Sequence, residues 1–335
     1  MNFSGIYGHD IQRGRLETLF RRGTVPQTML FTGMTGTGKF RVAERFLMAF
    51  FCEGKPAPCL DCAPCRQVQK DIHPDFIAVR PNERGIIPVG SEEKKERGSV
   101  RWLIERLSMK PVSGATAVIV DGIDRVTEEG QNALLKTIEE PAHTTKMILI
   151  AEAKSRVLPT IVSRSIEIPF NPLPDGHVLK ILEAANIDPD IRRLSAFFAG
   201  GSASRAFQLS DVAFREKLFA LCADISGALN RRQAPLIPGD LPGKLVSPDV
   251  LLDLMLVIYS KLLQSGLRGE ELPGELPREL LVEDIDLEAR LIKILLALKR
   301  GQSHNLNFRI ALKGLLYSLY FEGERAHQGP LVFDI

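Results

Sequence analysis

The sequence carries a short apolar segment that runs directly into a glycine-rich one, MLFTGMTGTGKF, at residues 29–40. The glycines at Gly33, Gly36 and Gly38 would let backbone N–H groups curl around phosphate oxygens. Lys39 follows at the start of a predicted helix, whose N-terminus adds the positive end of its dipole. This spacing is that of the phosphate-binding P-loop. We therefore expect Gly33, Gly36, Gly38 and Lys39 to form a nucleotide-binding loop.

The last position of the motif departs from the pattern. A P-loop ordinarily ends in Ser or Thr, whose hydroxyl binds Mg²⁺, whereas this sequence has Phe40. A phenyl ring has no oxygen to offer a metal ion. The loop is therefore predicted to be able to hold phosphate but to be poorly equipped for hydrolysis, and these residues leave the binding of ATP open.

Further apolar segments alternate with helical patterns after the loop. They lie at residues 76–79, 117–121, 146–151 and 166–169. Strands that alternate with helices after a P-loop indicate a parallel sheet covered on both faces. The predicted fold class is thus α/β for residues 1–169, and the pattern downstream is helical.

The segment at 117–121 ends in Asp121, at the point where a buried parallel strand delivers a carboxylate to the edge of its sheet. In P-loop ATPases this acid helps to hold Mg²⁺, and in many of them a neighbouring Glu activates water. Here the neighbour is Gly122, which can neither orient nor deprotonate water. Asp124 could cap the next element, and we assign it no catalysis. A second part of the hydrolytic machinery is therefore missing.

Four of the five cysteines lie within fourteen residues, at Cys52, Cys59, Cys62 and Cys65. Two successive Cys-x-x-Cys steps can point four thiolates at one tetrahedral ion, and four sulfurs leave no open position for water. The alternatives are a redox pair or unrelated core cysteines. We favour a structural zinc site, and we expect Cys222 to be a core residue.

Length, composition and charge limit the class of protein. A chain of 335 residues with 44% apolar and 25% charged residues suggests two or three globular domains. The net charge of +2 gives no general case for binding nucleic acid. No signal peptide and no membrane span are predicted, because the N-terminus lacks the required pattern and the apolar stretches are short. We expect a cytoplasmic protein.

The order of these motifs resembles that of the bacterial DNA polymerase III clamp-loader subunits. The resemblance rests on the P-loop, the Cys-x6-Cys-x2-Cys-x2-Cys segment, HPD at 73–75, NALLKTIEEP at 132–141 and LPTIVSR at 158–164. It is specific over residues 1 to about 170 and loose beyond them. It implies an AAA+ domain at 1–169 with an inserted zinc module at 52–65, a small helical lid domain at 170–209, and an all-α collar domain for oligomerisation at 210–335.

The family contains an ATPase type, called gamma or tau, and a non-hydrolysing type, called delta-prime. Phe40 and Gly122 favour the delta-prime type, as does Ser204 where the family's sensor arginine is expected, with Arg205 one residue late. The alternative is a catalytically active gamma/tau-type subunit. A free-standing zinc-ribbon DNA binder ranks last, because the cysteine segment lacks interleaved basic and aromatic residues.

The resemblance also implies partners and one further site. The partners are gamma/tau and delta subunits in a hetero-pentamer, which loads the sliding clamp onto primed DNA at the expense of ATP. The SRS stretch at 163–165 is similar to the family's Ser-Arg-Cys motif, so Arg164 would be an arginine finger that reaches the ATP of a neighbouring subunit. The alternative is an ordinary surface arginine before a strand.

Overall fold

The computed structural model describes residues 1–91, 96–141, 144–231, 248–274 and 276–301, together with Gly314 and Tyr317. The chain divides into two compact units, Met1–Pro174 and Asp175–Ile335. In the predicted collar, residues 232–247, 275 and nearly all of 302–335 lie outside the described residues. The domain limits at residues 169 and 209 remain predictions.

The first unit alternates strands with helices, as the sequence pattern predicts. Its strands are β1 (Thr28–Thr32), β2 (Phe76–Val79), β3 (Thr116–Asp121), β4 (Thr145–Ala151) and β5 (Ile166–Pro169). Its helices are α1 (Asp10–Arg22), α2 (Lys39–Met48), α3 (Ala63–Gln69), α4 (Val100–Ser108), α5 (Glu128–Glu139) and α6 (Pro159–Ser163).

The five strands form one parallel sheet in the order β2-β3-β4-β1-β5. Side chains alternate between its two faces, each of which is covered by its own apolar core. On β1, Met29 and Phe31 pack on one face and Leu30 packs on the other. This confirms the predicted α/β fold class with a covered parallel sheet.

Parallel strands place all of their carboxyl ends at one edge of the sheet. The glycine-rich loop after β1 and Asp121 at the end of β3 therefore share that edge. Arg164 precedes β5 and lies at the opposite edge, because Ile166 pairs with Met29 near the start of β1.

Helices make up all of the regular structure in the described part of the second unit. They are α7 (Asp175–Ala184), α8 (Pro189–Phe197), α9 (Ala203–Ser210), α10 (Val212–Asn230), α11 (Pro248–Arg268) and α12 (Ile285–Gly301), with a short 3-10 turn at Arg278–Leu280. The helices from α8 through α12 share one apolar core. This core contains Cys222, which is fully buried as expected.

Helix α11 is long and apolar enough to cross a membrane by length and composition, and half of the window that passes this test is buried inside the protein. Leu251, Leu254, Met255 and Tyr259 of this helix are fully buried in the core of the second unit. Packing within that core accounts for the apolar character of the helix.

Candidate functional site

The glycine-rich loop joins β1 to α2 at the carboxyl edge of the sheet. Gly33, Gly36 and Gly38 have φ angles of 135°, 80° and 96°, in the left-handed region that favours glycine. At Gly33 the requirement is also spatial, because a β-carbon there would lie 2.1 Å from the carbonyl oxygen of Phe170. The loop therefore depends on glycine for its shape.

Lys39 is the first residue of α2 and is only 6% exposed. Its ammonium donates a hydrogen bond of 2.7 Å to the carbonyl oxygen of Gly33 and another of 2.7 Å to that of Met34. Burial lowers the pKa of Lys39, and the nearby carboxylates of Asp121 and Glu152 oppose this shift. The loop itself thus holds two of the three N–H donors of the ammonium.

Phe40 stands where a P-loop presents a hydroxyl to the metal ion. The guanidinium carbon of Arg80 lies 4.5 Å from the centre of the Phe40 ring, which is a cation–π distance. Arg80 also pairs with Asp71 at 3.3 Å. An aromatic ring and a cation therefore occupy this place, and neither of them can bind Mg²⁺.

Asp121 lies at the same sheet edge as the glycine-rich loop. Burial raises the pKa of Asp121, and the neighbouring cations Lys39, Arg80 and Arg125 oppose the rise. The structure thus brings the predicted acid and the predicted P-loop lysine into one cluster of charges.

Gly122 follows Asp121 with a φ of 103°. A β-carbon at this position would lie 3.2 Å from Cδ of Arg125 and 3.3 Å from Cγ of Pro81. A glutamate here would therefore require a strained backbone as well as movement of both neighbours. The local backbone is suited to glycine and not to a residue that activates water.

Three charged residues of this edge, Arg80, Arg125 and Glu152, escape the sequence analysis. Arg80 directly follows β2 and Glu152 directly follows β4, and Arg125 pairs with Glu152 at 3.7 Å. The rule that identifies Asp121, a polar residue at the carboxyl end of a parallel strand, would also have found the residues after β2 and β4.

Asp124 does not cap the following helix, which corrects the expectation from the sequence. Thr127 caps α5, and its hydroxyl oxygen accepts a hydrogen bond from the N–H of Gly130. The carboxylate of Asp124 instead accepts hydrogen bonds from the N–H groups of Glu152 and Ala153, at 3.2 and 3.0 Å. Asp124 therefore ties the turn after β3 to the end of β4.

The four clustered cysteines converge between α2 and α3. The sulfur atoms of Cys52, Cys59, Cys62 and Cys65 all lie within 4.8 Å of one another. A tetrahedral zinc ion with Zn–S bonds of about 2.3 Å needs sulfurs about 3.8 Å apart. The donor set and its spacing therefore fit such an ion after a small contraction.

Backbone N–H groups around the cysteines point at the sulfur atoms. Cys52 Sγ accepts hydrogen bonds from the N–H groups of Gly54 and Cys59 at 3.3 and 3.1 Å, and Cys59 Sγ accepts one from Cys62 at 3.3 Å. N–H groups of Asp61 and Cys62 lower the pKa of the Cys59 thiol to about 6. These donors favour the thiolate form that binds metal ions.

The His73–Pro74–Asp75 stretch is part of the scaffold next to the cysteines. His73 lies against Phe51 with 4.2 Å between ring centres, and its Nδ1 accepts a hydrogen bond from the N–H of Asp75 at 3.2 Å. His73 and Asp75 are both buried. This motif therefore holds the start of β2 in place.

Arg164 lies at the far edge of the sheet, after α6, with 42% of its side chain exposed. Its Nε pairs with Oε1 of Glu139 at 3.0 Å, and its Nη1 donates to the carbonyl oxygen of Thr160 at 3.2 Å. The P-loop of the same chain is separated from it by the length of β1, at least about 10 Å at about 3.3 Å per residue. The structure therefore does not bring Arg164 together with Lys39 and Asp121.

Ser204 is exposed in the first turn of α9. Ser202 caps this helix by accepting a hydrogen bond from the N–H of Arg205 at 3.3 Å. Both residues belong to the second unit, and the loss of a sensor arginine at Ser204 remains a prediction.

Comparisons with known proteins identify the family. Residues 8–174, about half of the chain, match the family model described as DNA polymerase III, delta subunit. The chain is 33% identical over 169 residues to the DNA polymerase III subunit delta' of Bacillus subtilis, and 30% identical over 194 residues to that of Pseudomonas aeruginosa. The chain belongs to the family of DNA polymerase III delta-prime subunits.

The family-model match of this delta-prime family member falls within the first unit, which carries the sheet. The Bacillus match covers 50% of this chain and 49% of the relative, and the Pseudomonas match covers 56% and 57%. The chain thus spans about half the length of the curated relatives it matches. A gamma/tau subunit from Mycobacterium tuberculosis is 30% identical over 213 residues, which are 60% of this chain and 35% of that one.

A solved structure of a DNA polymerase III gamma subunit-related protein from Thermotoga maritima is also similar to this delta-prime family member. The similarity covers 91% of this chain and 98% of that one, at 17% identity and a TM-score of 0.47. The strand order of the sheet and the glycine-rich loop after β1 define the fold.

Proposed function

We propose that the chain is a non-hydrolysing subunit of the bacterial DNA polymerase III clamp loader. In this role it acts in the cytoplasm with a delta subunit and with gamma/tau-type ATPase subunits, within a hetero-pentamer that places the sliding clamp on primed DNA. The proposal rests on membership of the delta-prime family and on the geometry of the P-loop edge.

The observation that carries the non-hydrolysing role is Gly122 beside Asp121. Its φ of 103° and its close neighbours Arg125 and Pro81 disfavour the glutamate that would activate water. Phe40 supports the same conclusion, because its ring gives no oxygen to Mg²⁺. Metal positioning and water activation each contribute orders of magnitude to a hydrolytic rate.

We further propose that Arg164 supplies an arginine finger to the nucleotide of a neighbouring subunit. Its position supports action in trans, because the sheet separates Arg164 from the P-loop of its own chain. Its side chain is 42% exposed and so is open to a partner. In other systems such a guanidinium accelerates phosphoryl transfer about 10³–10⁵-fold.

The four clustered cysteines would hold one structural zinc ion. Cys52, Cys59, Cys62 and Cys65 together provide four sulfurs within 4.8 Å of one another, which closes a tetrahedral shell without water. The ion would fix the segment between α2 and α3, and it would supply no chemistry to the P-loop.

Steady-state ATP hydrolysis tests the proposed function. The purified chain is assayed alone and then with the gamma-type, delta-type and clamp subunits and primed DNA. We expect no turnover by the chain alone, and we expect its addition to raise the rate of the mixture. Turnover by the isolated chain would support the alternative, a gamma/tau-type ATPase with Asp121 alone to hold the metal ion.

Arg164→Ala tests the finger within the same assembly. We expect the variant to assemble normally and to lose most of the rate increase that the wild-type chain brings to the mixture. Arg15→Ala is the control, since Arg15 is exposed on α1 and, among the described residues, donates one hydrogen bond, to the carbonyl oxygen of Glu167. An unchanged rate with Arg164→Ala would remove the finger and leave the non-hydrolysing role standing.

A further inference from the structure

Glu139 and Arg164 form an ion pair across two elements of the first unit. Nε of Arg164 lies 3.0 Å from Oε1 of Glu139, and both side chains are 42% exposed. Nη1 of Arg164 donates to the carbonyl oxygen of Thr160 at 3.2 Å and to the hydroxyl of Ser163 at 3.4 Å. Two of the three guanidinium nitrogens are thus held within the same unit.

Both ends of this ion pair are anchored in the core. Glu139 is the last residue of α5. Its neighbour Ile138 is buried, with 4% of its surface exposed, in the apolar core that also contains Leu30 of β1. The backbone N–H of Arg164 donates to the carbonyl oxygen of Ile161, which is fully buried. The direction of the guanidinium is therefore set by packed elements rather than by a free loop.

An exposed ion pair of this kind stabilises a fold very little. An unheld arginine, in contrast, samples many rotamers, and a displacement of about 1 Å in a catalytic group can cost up to about 100-fold in rate. The contact between Glu139 and Arg164 therefore contributes more to the orientation of the guanidinium than to the stability of the fold.

We propose that Glu139 is a positioning residue for Arg164. Its carboxylate holds Nε, so that the remaining N–H groups of the guanidinium are presented outward to the phosphates of a nucleotide on the adjoining subunit. This inference rests on the proposed arginine finger. It assigns to Glu139 a role in the reaction of the assembly without contact to the reacting atoms.

Glu139→Gln tests the role, because it removes the charge and keeps the shape of the side chain. The assay is ATP hydrolysis by the assembly with clamp and primed DNA. We expect kcat to fall about three- to tenfold with the KM for ATP unchanged, and we expect Glu139→Asp to recover part of the loss. Glu140→Gln is the matched control, since Glu140 is the next residue, is exposed and forms no ion pair within the described residues.

The double variant Glu139→Gln/Arg164→Ala separates a positioning role from a structural one. If Glu139 acts through Arg164, the double variant should be no slower than Arg164→Ala alone. Equal melting temperatures and equal assembly of the variants, measured beside the rates, exclude a fault in folding.

The possible outcomes distinguish this inference from the proposal beneath it. If Arg164→Ala leaves the rate unchanged, the finger is wrong and the role of Glu139 is overturned with it. If Arg164→Ala slows the assembly but Glu139→Gln matches the wild type, only the positioning role is overturned. If Glu139→Gln slows the Arg164→Ala variant further, the positioning role is likewise overturned and the finger stands.

Discussion

The carboxylate of Asp75 accepts a hydrogen bond of 2.6 Å from the backbone N–H of Ser113, and a second one from its hydroxyl, although 38 residues separate the two. The N–H of Val112 donates to the same carboxylate at 3.0 Å. Asp75 is 4% exposed. This contact joins the start of β2 to the loop before β3 and explains why an acid stands next to His73 and Pro74.

The contact at Asp75 leads to a prediction about stability and pH. Burial alone would raise the pKa of Asp75, but hydrogen bonds from Ser113 and Val112 outweigh it and lower the pKa below the ordinary value of 3.8. The stabilisation is therefore complete above about pH 4 and is lost as the pH falls through the lowered pKa. We expect Asp75→Ala to reduce the free energy of unfolding by about 2–3 kcal/mol at pH 7.

Urea unfolding at pH 7 and at pH 3 checks this prediction. The difference between wild type and Asp75→Ala should narrow at pH 3, because below the ordinary pKa of 3.8 the unfolded chain binds the proton more readily than the folded state does. Ser113→Ala keeps the backbone donor and should cost only about 1 kcal/mol at pH 7. An equal difference at both pH values would contradict the role of the charged carboxylate.

Substitution by alanine should lower the free energy of unfolding at Gly33 and raise it at Gly14. At Gly33 a β-carbon would lie 2.1 Å from a backbone oxygen of Phe170, and φ is 135°. We expect Gly33→Ala to reduce the free energy of unfolding by roughly 3 kcal/mol or more. Gly14 lies inside α1 with no atom within 4 Å of the new β-carbon, so Gly14→Ala should raise it by about 0.5–1 kcal/mol. Denaturant titration of both variants measures the contrast, and similar values would count against the observed loop geometry.

The cysteine cluster should bind one zinc ion per chain. We expect Cys62→Ser to lose the ion in elemental analysis of the purified protein, whereas Cys222→Ala, which changes the buried cysteine of the second unit, should keep it. Cys62 is the N-cap residue of α3, and Ser is a favourable residue at that position. Loss of metal could therefore not be attributed to loss of the helix. Zinc retained at full stoichiometry in Cys62→Ser would contradict the assignment of this ligand.

Glu288 on α12 should make the second unit sensitive to pH. The residue is 5% exposed, its Oε1 is buried with no hydrogen-bond partner among the described residues, and burial raises its pKa from 4.5 to about 7. A raised pKa means that the folded state binds this proton more tightly than the unfolded state does. Stability is therefore lost as the pH rises from about 4.5 to about 7.

Glu288→Gln should remove this pH dependence. We expect the free energy of unfolding of the variant to exceed that of wild type by about 1–3 kcal/mol between pH 5 and pH 8. Thermal or urea unfolding across this range measures the gain, with Glu283→Gln as a control that removes an exposed carboxylate of the same unit. If the difference in stability between wild type and Glu288→Gln does not change with pH, Glu288 does not titrate in this range.

Much of the sheet follows from local pattern. The apolar run that ends in Asp121 and the segment before the glycine-rich loop are found as β3 and β1, because a strand buried on both faces is marked by apolar residues alone. The cap of α5 is also a local contact, since the hydroxyl of Thr127 accepts a hydrogen bond from the N–H of Gly130. The expected cap at Asp124 is wrong, because its carboxylate finds donors 28 and 29 residues away.

The sequence by itself determined the glycine-rich loop, the four-cysteine spacing, the alternation of strands and helices, and the two missing groups at Phe40 and Gly122. Each of these depends on residues close together in the chain, where spacing restricts the possible geometry. Only the tertiary structure decided the order of the strands, in which β4 lies between β3 and β1, and the pairing of Arg164 with Glu139. The physical reason is that the order of parallel strands is set by crossover connections, so that distance along the chain does not give distance in space.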